Sequence, residues 1–452
     1  MRFRFLPLIA VAALPLGAQQ SVADRYRDVA NKIINAALAD STRAWDKLAA
    51  FTDYSGPRLA GSANLERGLD WLLTEMKKDG LANVRGEPAM VPRWVRGKES
   101  ITMLQPREAD VPMLALGGSV GTPAAGITAE VLVVTSFDDL TKRAASAKGK
   151  IVLFDVPFTD YGATVQYRSN GAIAAAKVGA VASLIRAVGP YGMRTPHTGA
   201  MRYDTTVTKI PAAAVPMEDA MMFHRMQDRG QKVVLTIKMD AQTLPDVPSR
   251  NVVGELVGRE KPNEIVAFGG HSDSWDVGVG AMDDGGGVII AWEAINLLKR
   301  LGLTPRRTIR AVGWVNEENG GRGGAAYRDA HVNEPHSLLI ESDAGVFSPQ
   351  GFGFTGSDAA RDIVKQIGTL LDRIGAGKIG PNGGGADIGP LMATGVPGMG
   401  LDVDGSKYFW FHHTPADTPD KLSPSDMQKC VAAFAVMAYI VADLPEMLPR
   451  GK

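Results

Sequence analysis

From Phe268 to Glu318 the chain carries Phe-Gly-Gly-His-Ser-Asp, then Ala-Met-Asp-Asp-Gly-Gly-Gly, then a helical pattern, then Trp-Val-Asn-Glu-Glu. The apolar run Ile265 to Phe268 predicts a buried parallel strand with His271 at its carboxyl end, where open α/β sheets hold their ligands. A second run, Thr308 to Val315, predicts a strand that delivers Glu317 and Glu318, and Asp283 and Asp284 lie in the Gly-rich loop between the two. Further on, a strand at Ser337 to Ile340 leads to Glu341-Ser342-Asp343, and Phe411-His412-His413-Thr414 opens another loop. Carboxylates gathered on one rim repel unless a cation sits among them, and a mixed His/Asp/Glu set suits zinc and related divalent metals. His271, Asp283, Glu318, Asp343 and His413 are therefore candidate ligands for two metals, with one carboxylate bridging. Asp273 is expected to stand behind them and orient the His271 ring.

Glu317 and Glu318 are adjacent, and in extended backbone their side chains point to opposite faces. One can ligate while its neighbour takes a proton from water whose pKa the metal lowers. The bland alternative, a solvated acidic pair at a strand end, predicts neither burial nor the Gly-rich turn that follows. A lone His-x-Asp would mean little, since core histidines commonly bond a nearby carboxylate. Gly278-Val279-Gly280 begins like a dinucleotide-binding loop, but Asp283 occupies the position of the third glycine and no strand immediately precedes it. No Gly-x-Ser-x-Gly elbow or phosphate-binding Walker loop occurs.

The elements that must hold this rim alternate strand and helix, which argues for a largely parallel α/β sheet flanked by helices. Residues 22–50 carry helical periodicity broken at Asp40-Ser41, and an amphipathic helix through Leu69, Leu72, Leu73 and Met76 is stopped by Gly80. Strand patterns at Val84 and at Ile101 to Leu104 are assigned to the same domain as the central stretch. Between about Val111 and Thr243 the pattern changes to short β runs around one Ala-rich helix, Ala172 to Ala182, which reads as a β-rich inserted domain. The chain re-enters at Ser249 after a Pro-containing linker, Leu244 to Pro248. His197 and His224 are isolated there and read as loop or surface histidines rather than ligands. The expected division is 19–110 and 246–452 for the metal-bearing domain and 111–245 for the insertion.

The 452 residues carry 49 basic and 49 acidic side chains, which leaves no electrostatic bias toward nucleic acid. No uninterrupted apolar run reaches the roughly 20 residues of a membrane span. Met-Arg-Phe-Arg, an apolar stretch from Leu6 to Leu16 and Gly17-Ala18-Gln19 read as a signal peptide cut after Ala18, so residues 1–18 would be removed and the protein secreted or periplasmic. With Cys430 as the one cysteine there is no internal disulfide, and Cys430 itself reads as a buried small hydrophobe.

Gly56-Pro57-Arg58-Leu59-Ala60-Gly61-Ser62, Val165-Gln166-Tyr167-Arg168, Pro196-His197-Thr198-Gly199, His271-Ser272-Asp273-Ser274-Trp275-Asp276, Met282-Asp283-Asp284-Gly285 and Glu446-Met447-Leu448-Pro449-Arg450 together resemble the co-catalytic zinc aminopeptidase and carboxypeptidase superfamily, over nearly the whole mature chain. The resemblance implies one zinc on His271 and Asp343, another on Glu318 and His413, and Asp283 bridging. It implies Glu317 as general base and Asp273 as support for His271. It selects His413 over His412 because the ligand precedes a hydroxyl residue, here Thr414. Ser272 stands where a larger apolar residue is common and Asn316 where Ala is frequent; neither change removes a ligand. The resemblance further implies a protease-associated inserted domain, a homodimer, and a peptide substrate for a dizinc exopeptidase acting on unblocked dipeptides or short peptides. Asp387, after Gly383-Gly384-Gly385-Ala386, is a candidate for lining the pocket or for capping a loop. An aminopeptidase on longer peptides, a silent receptor or scaffold of the same fold, and a single-zinc glutaminyl cyclase are the competing readings. The complete set of expected ligands, with Glu317 retained, weighs against the silent scaffold.

Overall fold

The computed structural model describes residues 20–451, so the expected signal peptide lies outside the described residues. Two eight-stranded sheets organise the chain. In the first, the strands run in the order Ala82–Val95, Gln242–Leu256, Arg307–Trp314, Lys261–His271, His336–Glu341, Gly398–Val403, Pro349–Thr355, Lys378–Pro381. Its three central strands, Arg307–Trp314, Lys261–His271 and His336–Glu341, are mutually parallel. From Ile265 to His271 and along the whole of the other two they are buried, as strands covered on both faces must be. Antiparallel strands join on either side, so the sheet is mixed.

One face of this sheet is covered by the helices Val22–Ala39, Arg43–Ser55, Ala63–Lys78, Gly286–Arg300, Asp358–Gly368 and Pro424–Asp443, which share one large core with it. Gly286–Arg300 is buried all round, which explains why its sequence shows apolar residues on every side. Pro424–Asp443 is long and apolar enough to cross a membrane, but 83% of its apolar window is buried inside the protein, Cys430 included. It is a core helix. The opposite face carries Arg322–His331 and the short helix Gly389–Met392 over a smaller core.

The second sheet differs from expectation at its edges. The strand Glu99–Gln105, expected in the domain of the central stretch, pairs instead with Val234–Met239 in the second sheet, where Ile101 and Met103 face a separate core. Period-2 alternation states that one face is buried, not against which sheet. The expected linker Leu244 to Pro248 is part of the long strand Gln242–Leu256, which pairs with Ala82–Val95 as far as Val95 opposite Gln242. Pro245 and Pro248 are tolerated because this half of the strand has no partner on its other side. The chain thus leaves and re-enters the first sheet through one β-ribbon, and the second unit begins just after Val95 rather than at Val111. The Ala-rich segment is also displaced: the helix is Tyr161–Lys177 and Ala182–Arg186 is a strand. Further helices, among them Phe137–Lys142 and Met217–Asp228, accompany it.

Candidate metal centre

The parallel central strands end on one edge, and that edge collects the sequence-predicted residues. His271 closes its strand, and Asp343 follows the strand His336–Glu341 by two residues. His271 Nε2 faces Asp283 Oδ1 at 3.1 Å and Asp343 Oδ1 at 3.3 Å. His413 Nε2 faces the other oxygen of the same carboxylate, Asp283 Oδ2, at 3.3 Å, and Glu318 Oε2 at 3.1 Å. Asp283 therefore offers one oxygen to each of two His/carboxylate pairs, and its Oδ2 is buried without a hydrogen-bond partner. Such an orphaned acceptor is costly unless a cation takes it up, so the donor set fits divalent metal.

The ring nitrogens that face away from this set are also provided for. His271 Nδ1 lies 3.0 Å from the Asp273 main-chain carbonyl, which can only accept, so the proton sits on Nδ1 and Nε2 is left to ligate. Asp273 thus orients the ring through its carbonyl; its carboxylate is 3.7 Å from the ring and instead accepts the N–H groups of Glu317 and Glu318 at 3.1 and 3.4 Å. The adjacent glutamates are not in extended backbone: the strand ends at Trp314, and Asn316 sits in the left-handed region at φ 66°. The turn buries Glu318 in the ligand set and leaves Glu317 half-buried on the cavity wall.

His412 competes for notice, since Asp283, His412 and His413 all offer donor atoms within 4.8 Å of one another. Its Nε2 is farther, 3.6 Å from Asp283 Oδ2, and its ring stacks on His413 with centroids 3.5 Å apart. Asp284 also reaches the set, but its carboxylate is engaged by the N–H groups of His271 and Gly287 at 3.0 and 3.1 Å. Asp387 is buried away from the cavity lining, and its N–H, with that of Ile388, is accepted by Glu341 at 3.0 and 2.9 Å. His224 is half-exposed and bonded to Asp155. His197 is in a loop but not at the surface: it is 1% exposed, and burial together with the neighbouring His413 lowers its pKa to about 3.

Tyr161, Arg168, Glu317, Leu401, Asp402, Val403, Tyr408 and Phe409 surround the ligands in a cavity of about 460 Å³. Tyr161 and Arg168 come from the second unit, and the Tyr161 ring stacks on that of Phe409 with centroids 4.9 Å apart.

The family profile of peptidase family M28 matches residues 251–438. Mouse carboxypeptidase Q is 48% identical over 430 residues, spanning 94% of this chain and 92% of its own length. The chain is a carboxypeptidase Q-like member of peptidase family M28. Human carboxypeptidase Q is 49% identical over 428 residues, covering 94% of this chain and 91% of its own. A peptidase M28 precursor from Shewanella amazonensis SB2B superimposes with a TM-score of 0.91 at 36% identity, over 95% of this chain and all of that one. A zinc aminopeptidase from Bacillus subtilis shares the fold, with a TM-score of 0.66 at 20% identity over 88% of this chain and 93% of its own. With this membership the protein is a zinc metallopeptidase.

Three supports of this M28 centre escaped the sequence reading. Asp417 accepts the N–H groups of Ala281 and Met282 at 3.0 and 2.7 Å and of Asp283 at 3.1 Å, and so fixes the loop that carries the shared carboxylate. Arg58 is fully buried and donates to the carbonyls of Ser272 at 2.6 Å and Gly280 at 2.8 Å, which gives the Gly56 to Ser62 segment its purpose. The Trp275 ring lies 5.5 Å from that of His413. Asp417 and Arg58 act on backbone, and Trp275 on a ring, remote in sequence, so no local pattern announces what they do.

Without metal, burial and then the charge of Asp283 push Glu318 up to about 7. Burial alone would lower His413, but Glu318 and Asp283 outweigh it and raise that imidazole to about 10. Both folded values lie above the unfolded ones, so these groups stabilise the metal-free fold fully at low pH. The Glu318 contribution is lost as pH rises from the unfolded value of about 4.5 through about 7. Zinc held by Glu318 and His413 would take the place of these protons and remove the loss. Thermal melts of chelated and zinc-loaded protein should therefore diverge steadily from about pH 5 to 7.5. A gap constant over that range would contradict the assignment.

Proposed function

We propose that this peptidase is an exported exopeptidase holding two zinc ions per chain and hydrolysing unblocked dipeptides or short peptides, with Glu317 as general base. The observation that carries the reading is Asp283, whose two oxygens each face a separate His/carboxylate pair on the floor of a walled cavity. In this reading His271 and Asp343 hold one zinc, Glu318 and His413 the other, and Asp283 spans both. Zinc held there supplies Lewis acidity toward a peptide carbonyl and lowers the pKa of water. Glu317 receives the water's proton and passes it to the leaving amine. In the metal-free site burial first, then the neighbouring carboxylates Asp343 and Glu318, hold its pKa above the usual range. Asp273 holds the peptide N–H of Glu317, which fixes where that carboxylate stands. Export rests on the signal-like residues 1–18, and the second unit is read as a protease-associated domain; a homodimer, if formed, would add to the wall.

A cavity of about 460 Å³ suits a small ligand rather than a long chain. Tyr161 and Arg168 limit its length on the side of the second unit. Free dipeptides should be cleaved fastest, and N-acetylation should suppress cleavage by removing the amine that a carboxylate or metal would hold. Product analysis on free and acetylated peptides of increasing length tests this. Equal rates on a dipeptide, its acetylated form and a peptide of roughly ten residues would favour an open-cleft aminopeptidase instead.

A further inference from the structure

The two histidines of the centre are supported in different ways. His271 finds the acceptor for its Nδ1–H two residues along its own chain, in the Asp273 carbonyl. For His413 the one acceptor among the described residues lies in the second unit: its Nδ1 is 3.2 Å from the carbonyl oxygen of Thr198. The Thr198 N–H returns a bond to the His413 carbonyl at 3.0 Å, so the loop 196–200 and the His413 loop are paired backbone to backbone.

Arg168, on the helix Tyr161–Lys177, holds this acceptor in place. Its Nη1 donates to the same Thr198 carbonyl at 3.3 Å and stands 3.4 Å from His413 Nδ1. In the tautomer that ligates through Nε2 the His413 proton sits on Nδ1, and a guanidinium has no acceptor atom for it, so Arg168 and His413 then meet through the carbonyl oxygen they share. The rest of the fork is engaged by the Ala200 carbonyl at 3.3 Å and the Tyr161 hydroxyl at 2.9 Å. Gly199 makes the approach possible: at φ 139° its Cα lies against the guanidinium, and a Cβ there would stand 2.3 Å from Arg168 Cζ. Arg168 is 6% exposed and Thr198 is fully buried.

We propose that Arg168, acting through the Thr198 carbonyl, is a positioning residue for one of the two zinc sites. The His271/Asp343 side is complete within the first unit, whereas the His413/Glu318 side is completed by the second. A neutral imidazole carries one proton, and anchoring it on Nδ1 leaves the Nε2 lone pair toward Glu318 and Asp283. The two sites therefore differ in how they depend on the seating of the second unit, and the inference rests on the two-zinc reading above.

Chelator-buffered zinc titration of the full mature chain, without substrate, tests it independently of any role of Arg168 in substrate binding. The wild-type chain should take up two zinc ions. In Arg168→Met one should keep its wild-type affinity and the other weaken by about 10–100-fold, the usual cost of losing a ligand's outer partner. Gly199→Ala, which displaces the guanidinium without removing it, should do the same and carries the test if Arg168→Met does not fold. Melting of the metal-free variants reports the fold separately. Two zinc ions in the wild type with both affinities unchanged in the variants would overturn the inference alone. Equal weakening of both sites would mark a general structural role and overturn it too. One zinc in the wild type would overturn the two-zinc reading along with it.

Discussion

Glu317→Gln should lower turnover by about 100-fold or more, the usual range for loss of a positioned acid or base, while zinc content and folding stay at wild-type levels. The substitution keeps the side-chain size and its place on the cavity wall but removes the carboxylate that accepts a proton. Glu318→Gln should behave differently. Glu318 is buried, with Oε2 3.1 Å from His413 Nε2, so its loss removes a donor from the ligand set and should reduce zinc content. Measuring turnover and bound zinc on both variants separates the two roles. If Glu317→Gln lost zinc and Glu318→Gln kept it, the assignment would be reversed.

Removing zinc with a chelator should abolish hydrolysis, and adding it back should restore the activity. Among single substitutions His413→Ala should weaken zinc retention most clearly, by more than the 10–100-fold typical of an outer partner. His413 Nε2 lies within 3.3 Å of both Asp283 and Glu318, and nothing nearby replaces it at those distances. His412→Ala should have a much smaller effect on metal, since its Nε2 is 3.6 Å from Asp283 Oδ2 and reaches only that carboxylate. Burial and the charge of His413 hold its imidazole well below the usual pKa, so in the metal-free site it adds no charge beside its neighbour. Zinc analysis after exhaustive dialysis decides between them. Equal loss in the two variants would make His412 a ligand as well. Full hydrolysis by rigorously metal-free protein would remove the metal from the reaction altogether.

The residue types and their order were sufficient to locate the rim. Apolar runs ending in His271, in Trp314 and in Glu341 mark parallel strands whose carboxyl ends share one edge, because parallel pairing forces them to. Glycine-rich stretches after two of them mark where the backbone turns tightly, so the metal-type residues beyond could be read as converging. Amphipathic periodicity likewise placed most of the helices, since a helix that covers a sheet must show its apolar stripe in sequence. Adjacent residues were harder. That Glu317 and Glu318 diverge was argued from extended backbone, whereas the divergence comes from a turn entered through Asn316 at positive φ.

Only the tertiary structure decided which sheet a short alternating strand joins, since burial pattern does not name the partner of Glu99–Gln105. Only it decided which backbone groups a buried charge serves: Asp417 bonds the Asp283 loop across 134 to 136 positions of chain, and Arg58 bonds Ser272 across 214. The Thr198 carbonyl, which every residue type carries, has no sequence signature at all. Ligating side chains can be recognised from their chemistry, whereas main-chain acceptors that orient them become specific only through where the fold puts them.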